Sequence, residues 1–354
     1  MTTDSALVGE ALGFQAAILE RVSRTFAITI PQLPPPLCTV VTNAYLLCRI
    51  ADTIEDEPQL DQAQKEMFSA RLVALLAGED AAQGFAEALV PLLSKHTLPA
   101  ERELIAHVHK VLAVTHSLNE TQQRALRRCV EVMSTGMSRF QRRANRAGLA
   151  DHAELDRYCY YVAGVVGEML TELFCAYSER IACHREQLMA LAPSFGQGLQ
   201  MTNILKDIHD DHHRGVCWLP RSAFDLPPGP LHDLVRQASP QAFGAGMESL
   251  LAVAHAHLRN ARTYTLLLPR EETGIRRFCL WALGLAVLTL KNIHRRPLFR
   301  DAREVKVSRR TVAAVAIIGR VTARHDSLID LLFRLAARSL PEPAGRQPAA
   351  KGIS

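Results

Sequence analysis

Aromatic residues are scarce in this chain: two Trp, six Tyr and twelve Phe make up 6% of 354 residues. Runs that alternate apolar and polar residues are nearly absent too, which argues against β-structure. The eight cysteines stand singly, with no CxxC pair and mostly apolar neighbours. That excludes a disulfide framework and suits small buried hydrophobes in a reducing compartment. There is no HExxH and no GxGxxG, so neither a zincin site nor a Rossmann cofactor site is signalled. The start, Met1 to Ser5, lacks the basic and apolar regions of a secretory signal. The longest uncharged apolar stretch, near Cys279 to Leu290, is too short to span a bilayer. Tyr158 to Tyr177 is long enough but carries Glu168 and Glu172, and reads as a buried helix. The expectation is a cytoplasmic chain with no integral membrane segment, peripheral at a membrane at most. Net charge is a modest +5, and no RNA or DNA motif accompanies it, so no nucleic-acid partner is expected.

What is present is Ala, Leu and Val in helical periodicity. Helices are expected over Ala6–Arg21, Pro36–Glu55, Gln62–Ala77, Gly84–Leu93, Pro99–His116, Glu120–Arg146, Glu154–Cys183 and Arg185–His209. Three more follow over Phe243–Leu267, Ile275–Arg295 and Arg309–Ala337. Pro31 to Pro36 marks a stiff turn, and Pro227, Pro228 and Pro230 a surface loop. From Leu340 the composition turns to Pro, Gly, Lys and polar residues, reading as a disordered tail over 341–354. No linker or fixed-period repeat interrupts 1–340, so one all-α domain is expected.

Two acidic clusters carry the chemistry. In Asp52-Thr-Ile-Glu-Asp56 the two aspartates lie four apart on one helix face, with Glu55 beside them. In Asn203-Ile-Leu-Lys-Asp207-Ile-His-Asp210-Asp211, residues 203, 207 and 211 follow at the same interval, with Asp210 alongside, making an oxygen-rich stripe on an otherwise apolar helix. Buried carboxylates persist when paired or metal-bound, and hard divalent cations prefer their oxygens. A single DxxxD is most often a solvated helix face. Two of them, each accompanied by a basic residue (Arg49, Lys206), suit Mg²⁺ bridging to a diphosphate. His209 and His213, four apart beside Asp210, could make zinc ligands, but no complete ligand set accompanies them and a solvated role for His209, His212 and His213 is favoured.

At this point the residues resemble a family, the squalene and phytoene synthases, which are head-to-head trans-isoprenyl diphosphate synthases. The resemblance runs from about Ser23 to Leu340. It is carried by Ser23-Arg-Thr-Phe-Ala27, Tyr45-Leu-Leu-Cys-Arg-Ile-Ala-Asp-Thr-Ile-Glu-Asp56, Tyr158-Cys-Tyr-Tyr-Val-Ala-Gly-Val-Val-Gly167, and Gln200 through Asp211, in that order and spacing. It implies an all-α isoprenoid synthase bundle around an apolar cavity. Asp52, Glu55, Asp56, Asp207, Asp210 and Asp211 would then be the Mg²⁺ set. Ser23, Arg24, Arg49, Asn203, Lys206 and Arg214 would meet diphosphate, and Tyr45, Tyr158, Phe26 and Phe278 would lie near the reacting carbons. Gly164 and Gly167 could leave room for prenyl chains or allow close helix packing. The chain departs from the pattern at Lys206, where Arg is usual, at Val216, where a phosphate-binding Arg is common, and at Glu168, an acid in an apolar stretch.

Two C-terminal segments resemble the reductive branch of the family. Arg277-Phe-Cys-Leu-Trp-Ala282 matches with Ala282 in place of Pro. Glu304-Val-Lys-Val-Ser-Arg-Arg310 matches a basic stretch used near NADPH, with Lys306 and Arg309 as its phosphate contacts. The implied reaction joins two farnesyl diphosphates through presqualene diphosphate with Mg²⁺, then reduces the product with NADPH to squalene. The alternatives are a non-reductive phytoene, dehydrosqualene or presqualene diphosphate synthase and, outside catalysis, a lipid-binding or assembly protein of the same fold. Phe278 and Cys279 can equally be core, and Lys306, Arg309 and Arg310 a solvated basic face.

Overall fold

The structure is a computed structural model that describes residues 2–23, 25–141, 148–224 and 240–342. Arg24, the proline loop at 227–230 and the expected tail from 343 on lie outside the described residues. The contacts divide the chain into two compact units, one of residues 1–142 and 172–182, the other of 143–171 and 183–354. Among the described residues there is no strand, only a parallel bridge between Leu149 and Pro220.

In the first unit the long helices are α1 (Thr2–Val22), α2 (Pro35–Asp56), α3 (Gln62–Ala77) and α4 (Glu120–Gln141). The proline run places Pro35 in the first turn of α2, where a missing N–H is harmless. α2 packs against the other three and buries a near-continuous wall that includes Leu37, Val40, Val41, Ala44, Leu47, Ile50 and Ile54. Asn43 is its buried polar anchor, donating to Gln15 Oε1 and the Val111 carbonyl (both 2.8 Å) and accepting from Thr115 Oγ1. α3 starts with a reciprocal Asp61–Gln64 capping box and stops at Gly78, whose φ of +77° a side chain would disfavour.

The second unit holds α5 (His152–Tyr177, whose residues from Glu172 group with the first unit), α6 (Arg185–Lys206), α7 (Ile208–His213), α8 (Pro240–Leu267), α9 (Thr273–Arg295), α10 (Arg309–Thr322) and α11 (Asp326–Ala337). α6 packs on α8, α9 and the part of α5 that widens into a π turn at Tyr160–Gly164. A Cβ on Gly167 would sit 2.1 Å from the Ala192 carbonyl oxygen, and one on Gly196 would sit 2.0 Å from that of Ala163. Gly167 therefore serves close backbone packing, which settles for that residue the alternative left open by the sequence. Polar contacts tie the same helices together. His257 lies 3.0 Å from Asp156 Oδ1 through Nε2 and 2.8 Å from Ser194 Oγ through Nδ1, while Asn260 also donates to Ser194.

Several expected helices are divided. Pro99–His116 breaks at His107, Arg185–His209 breaks at Asp207, and Arg309–Ala337 breaks between Thr322 and Asp326. Among the described residues three helices, α2, α5 and α9, have the length and hydropathy to cross a membrane; α9 contains the Cys279 to Leu290 stretch that was expected to be too short. About half or more of each apolar stretch is buried inside the protein, 72% in α2.

Candidate active site

In the first unit the motif residues form one connected cluster. Ser23 Oγ accepts from the Phe26 amide (3.0 Å) and so starts the short helix Phe26–Thr29. The Phe26 ring lies 5.0 Å from that of Tyr45. Tyr45 donates to the Val22 carbonyl (3.2 Å) and accepts from Arg49 Nη2 (2.9 Å). Arg49 in turn stands 3.9 Å from Asp52 and 3.8 Å from Glu101. Burial works against the Arg49 charge, but Asp52, Tyr45 and Glu101 outweigh it and hold the guanidinium above its ordinary range. Glu101 was not foreseen. Its sequence signal is that of a capping glutamate, and it does accept from the Leu98 amide (3.3 Å).

Two buried glutamates at the end of α2 show what this cluster lacks. Glu57 is satisfied by the Ser94 and Gln59 amides and the Thr97 hydroxyl, and despite its burial those hydrogen bonds hold its carboxyl below the usual range. Glu55, 3% exposed, has no hydrogen-bond partner for either carboxylate oxygen among the described residues. Burial pushes it up to about 7, Lys65 pulls it down, and Asp56, Glu66 and Asp52 push it further up. Lys65 donates to the Glu55 backbone carbonyl instead of its carboxylate. Asp52 is likewise pushed up to about 6, first by burial and then by Asp56 and Glu101, against the pull of Arg49. Asp56 is exposed. Negative charge is thus gathered and under-neutralised here, which is the condition a hard divalent cation relieves.

The second cluster is built differently. The expected unbroken stripe bends at Asp207, which caps α6 and opens α7, although the Asp207 amide still reaches the Asn203 carbonyl and the Asp211 amide the Asp207 carbonyl. Asn203 and Asp210 are exposed, Asp207 is half-buried and Asp211 is buried. Lys206 pairs with Asp207 at 3.1 Å, and Arg214 pairs with Asp211. His209 points elsewhere: its Nε2 lies 2.7 Å from the Phe299 carbonyl. Among the described residues no three His, Cys, Asp or Glu side chains converge into a closed metal cage.

Residues 19–311 match a family model described as squalene/phytoene synthase. The chain belongs to that family. A probable squalene synthase of Neurospora crassa is 28% identical over 293 residues, covering 82% of this chain and 58% of the relative. A squalene synthase of Candida albicans is 28% identical over 291 residues, covering 81% and 62%. The chain therefore spans about three fifths of the length of these relatives. A solved complex of TcSQS with a ligand superposes with a TM-score of 0.70 at 24% identity, over 94% of this chain and 98% of that one. A dehydrosqualene synthase complex gives 0.59 at 22% identity, over 89% and 96%. These likenesses establish the all-α isoprenoid synthase fold.

The remaining motif residues lie in the second unit. Tyr158 stacks on Trp218 with ring centroids 4.0 Å apart, a partner the sequence did not suggest. Tyr160 reaches Glu168 at 3.4 Å, giving that unexpected acid a partner. Phe278 and Cys279 are buried in α9, and burial pushes the Cys279 thiol up to about 12, so it behaves as an apolar filler. Lys306 and Arg309 are exposed on either side of Ser308, whose hydroxyl caps α10 by accepting from the Thr311 amide. Neither cation is in an ion pair among the described residues. Two free cations at the capped start of a helix fit phosphate groups.

Proposed function

We propose that this chain is a prenyltransferase of the squalene synthase type, joining two farnesyl diphosphates head to head through presqualene diphosphate and reducing the product to squalene. The observation that carries the reading is the buried Glu55 carboxylate, without a hydrogen-bond partner among the described residues, beside the raised Asp52, in direct continuity with Arg49, Tyr45 and Ser23. The family and the names of the relatives support it.

Asp52, Glu55 and Asp56 in the first unit, and Asp207, Asp210 and Asp211 in the second, are the proposed carboxylate sets for Mg²⁺. Bound there, Mg²⁺ supplies charge neutralisation for a departing diphosphate. Arg49, Ser23, Asn203, Lys206 and Arg214 meet the diphosphate oxygens directly, and Arg24 joins them by its place in the motif. Arg49 already carries a strong field from its acidic neighbours, and its donation to Tyr45 fixes which lone pair of the phenol is free. Tyr45 and Tyr158 are the proposed groups that orient the leaving group or take a proton. Phe26 and Phe278 offer aromatic faces to carbocations, which must be kept from water. Lys306 and Arg309 hold the phosphates of NADPH, which supplies hydride when bound.

The test is product identification from purified protein with farnesyl diphosphate and Mg²⁺, with and without NADPH. Squalene is expected only with NADPH. Dehydrosqualene or presqualene diphosphate as the end product under both conditions would move the chain to the non-reductive branch. Full turnover by Asp52→Ala combined with Asp207→Ala would refute the catalytic assignment and revive a lipid-binding role.

A further inference from the structure

Half of the large, exposed apolar side chains of the described residues, seven of fourteen, sit on α10 and α11. The others are scattered singly, which is ordinary for a protein surface. On α11, Leu328, Leu331, Leu332 and Leu335 recur at the helical interval, and on α10, Ile317 (64% exposed) and Val321 (66%) do the same. The face runs into an apolar cleft of about 190 Å³ between α9, α10 and α11, which shares Ile318 and Leu332 with it and has Thr322 as its only polar lining residue. A contiguous patch of this kind marks an interaction surface.

Charge selects the occupant. From Arg309 to Arg338 the sequence has six arginines and two aspartates. Both aspartates are already consumed: Asp326 pairs with Arg270 and Arg276, and Asp330 with Arg262 and Arg334. Arg320, Arg324 and Arg338 are exposed and hold no ion pair among the described residues. A second copy of the chain placed on this face would bring two arginine rims together with no free acid to offset them. We propose that the α10–α11 face docks in the plane of an anionic phospholipid bilayer, its leucines and isoleucines entering the acyl boundary and its arginines meeting headgroup phosphates. This docking does not depend on the proposed reaction.

The test is flotation of the full chain with vesicles of phosphatidylcholine alone or mixed with phosphatidylglycerol. Binding should be at least about tenfold tighter to the anionic vesicles and should weaken with salt, since headgroup attraction is screened. Ile317→Glu with Leu331→Glu should weaken it about tenfold or more while leaving the melting temperature and helical circular dichroism unchanged, because both side chains are exposed. Arg320→Glu with Arg324→Glu should remove the preference for anionic lipid. Absence of vesicle binding, or binding indifferent to all four substitutions, would overturn the proposal. So would concentration-dependent self-association in sedimentation that Ile317→Glu abolishes, since the face would then belong to a second copy.

Discussion

Replacing Glu55 by Gln should make the metal-free protein more stable at pH 8, even though it removes a motif residue. In the folded chain the carboxyl titrates near 7, against 4.5 as the ordinary value. A carboxyl whose folded value lies above its unfolded one binds its proton more tightly when folded. Its penalty is therefore absent below about pH 4.5, grows as pH rises through the window to about 7, and is constant above it. At about 1.4 kcal/mol for each tenfold difference in proton affinity, the full penalty is about 3 kcal/mol. Near the midpoint, a chain of 354 residues has an unfolding entropy of roughly 0.7 kcal/mol/K. The gain from Glu55→Gln should then be about 4 °C at pH 8 and should vanish near pH 4. Calorimetric or fluorescence melts of both proteins across this range, in chelator, measure it. Adding Mg²⁺ should stabilise the wild type more than the variant and erase or reverse their order. The reasoning is refuted if the variant melts lower than the wild type at pH 8 in chelator, or if its advantage does not change with pH.

The same two carboxyls predict that Mg²⁺ binding expels protons. With Asp52 near 6 and Glu55 near 7, roughly one proton per chain should be released at pH 6.5 and none at pH 8.5; an indicator dye in weak buffer reads this, and pH-independent binding would contradict it. Gly167→Ala should destabilise the protein by about 2 kcal/mol or prevent folding, because backbone has to move to admit the methyl group. Gly13→Ala on α1, where a Cβ would have no neighbour within 4 Å, should instead raise stability by about 0.5–1 kcal/mol in urea titration.

The long helices were legible because their apolar residues recur at helical spacing and their ends carry Pro, Asp or Gly, as at Pro35, Asp61 and Gly78. The breaks at His107, Asp207 and between Thr322 and Asp326 were not, since no proline or glycine marks them and the hydrophobic period runs straight through. In the site, Ser23, Tyr45, Arg49 and Asp52 were legible as a motif because they lie within thirty residues of one another. Glu101 and Trp218 were not, because each reaches the motif residues through tertiary packing from a distant segment. The opposite fates of Glu55 and Glu57 were equally invisible: both are glutamates at the end of an apolar helix, and the donors from Gln59, Ser94 and Thr97 separate them.

The glycines of α5 and α6 have a mechanical consequence. Each helix lodges a carbonyl oxygen in a notch of the other, Ala192 at Gly167 and Ala163 at Gly196, so the pair is bolted at two points one helical turn apart. Sliding by a single residue, about 1.5 Å, would lift both oxygens out of their notches and into solid backbone. Whatever flexing the molecule undergoes, these two helices travel as one strut, and the Tyr158 and Asn203 backbones they carry keep a fixed spacing throughout.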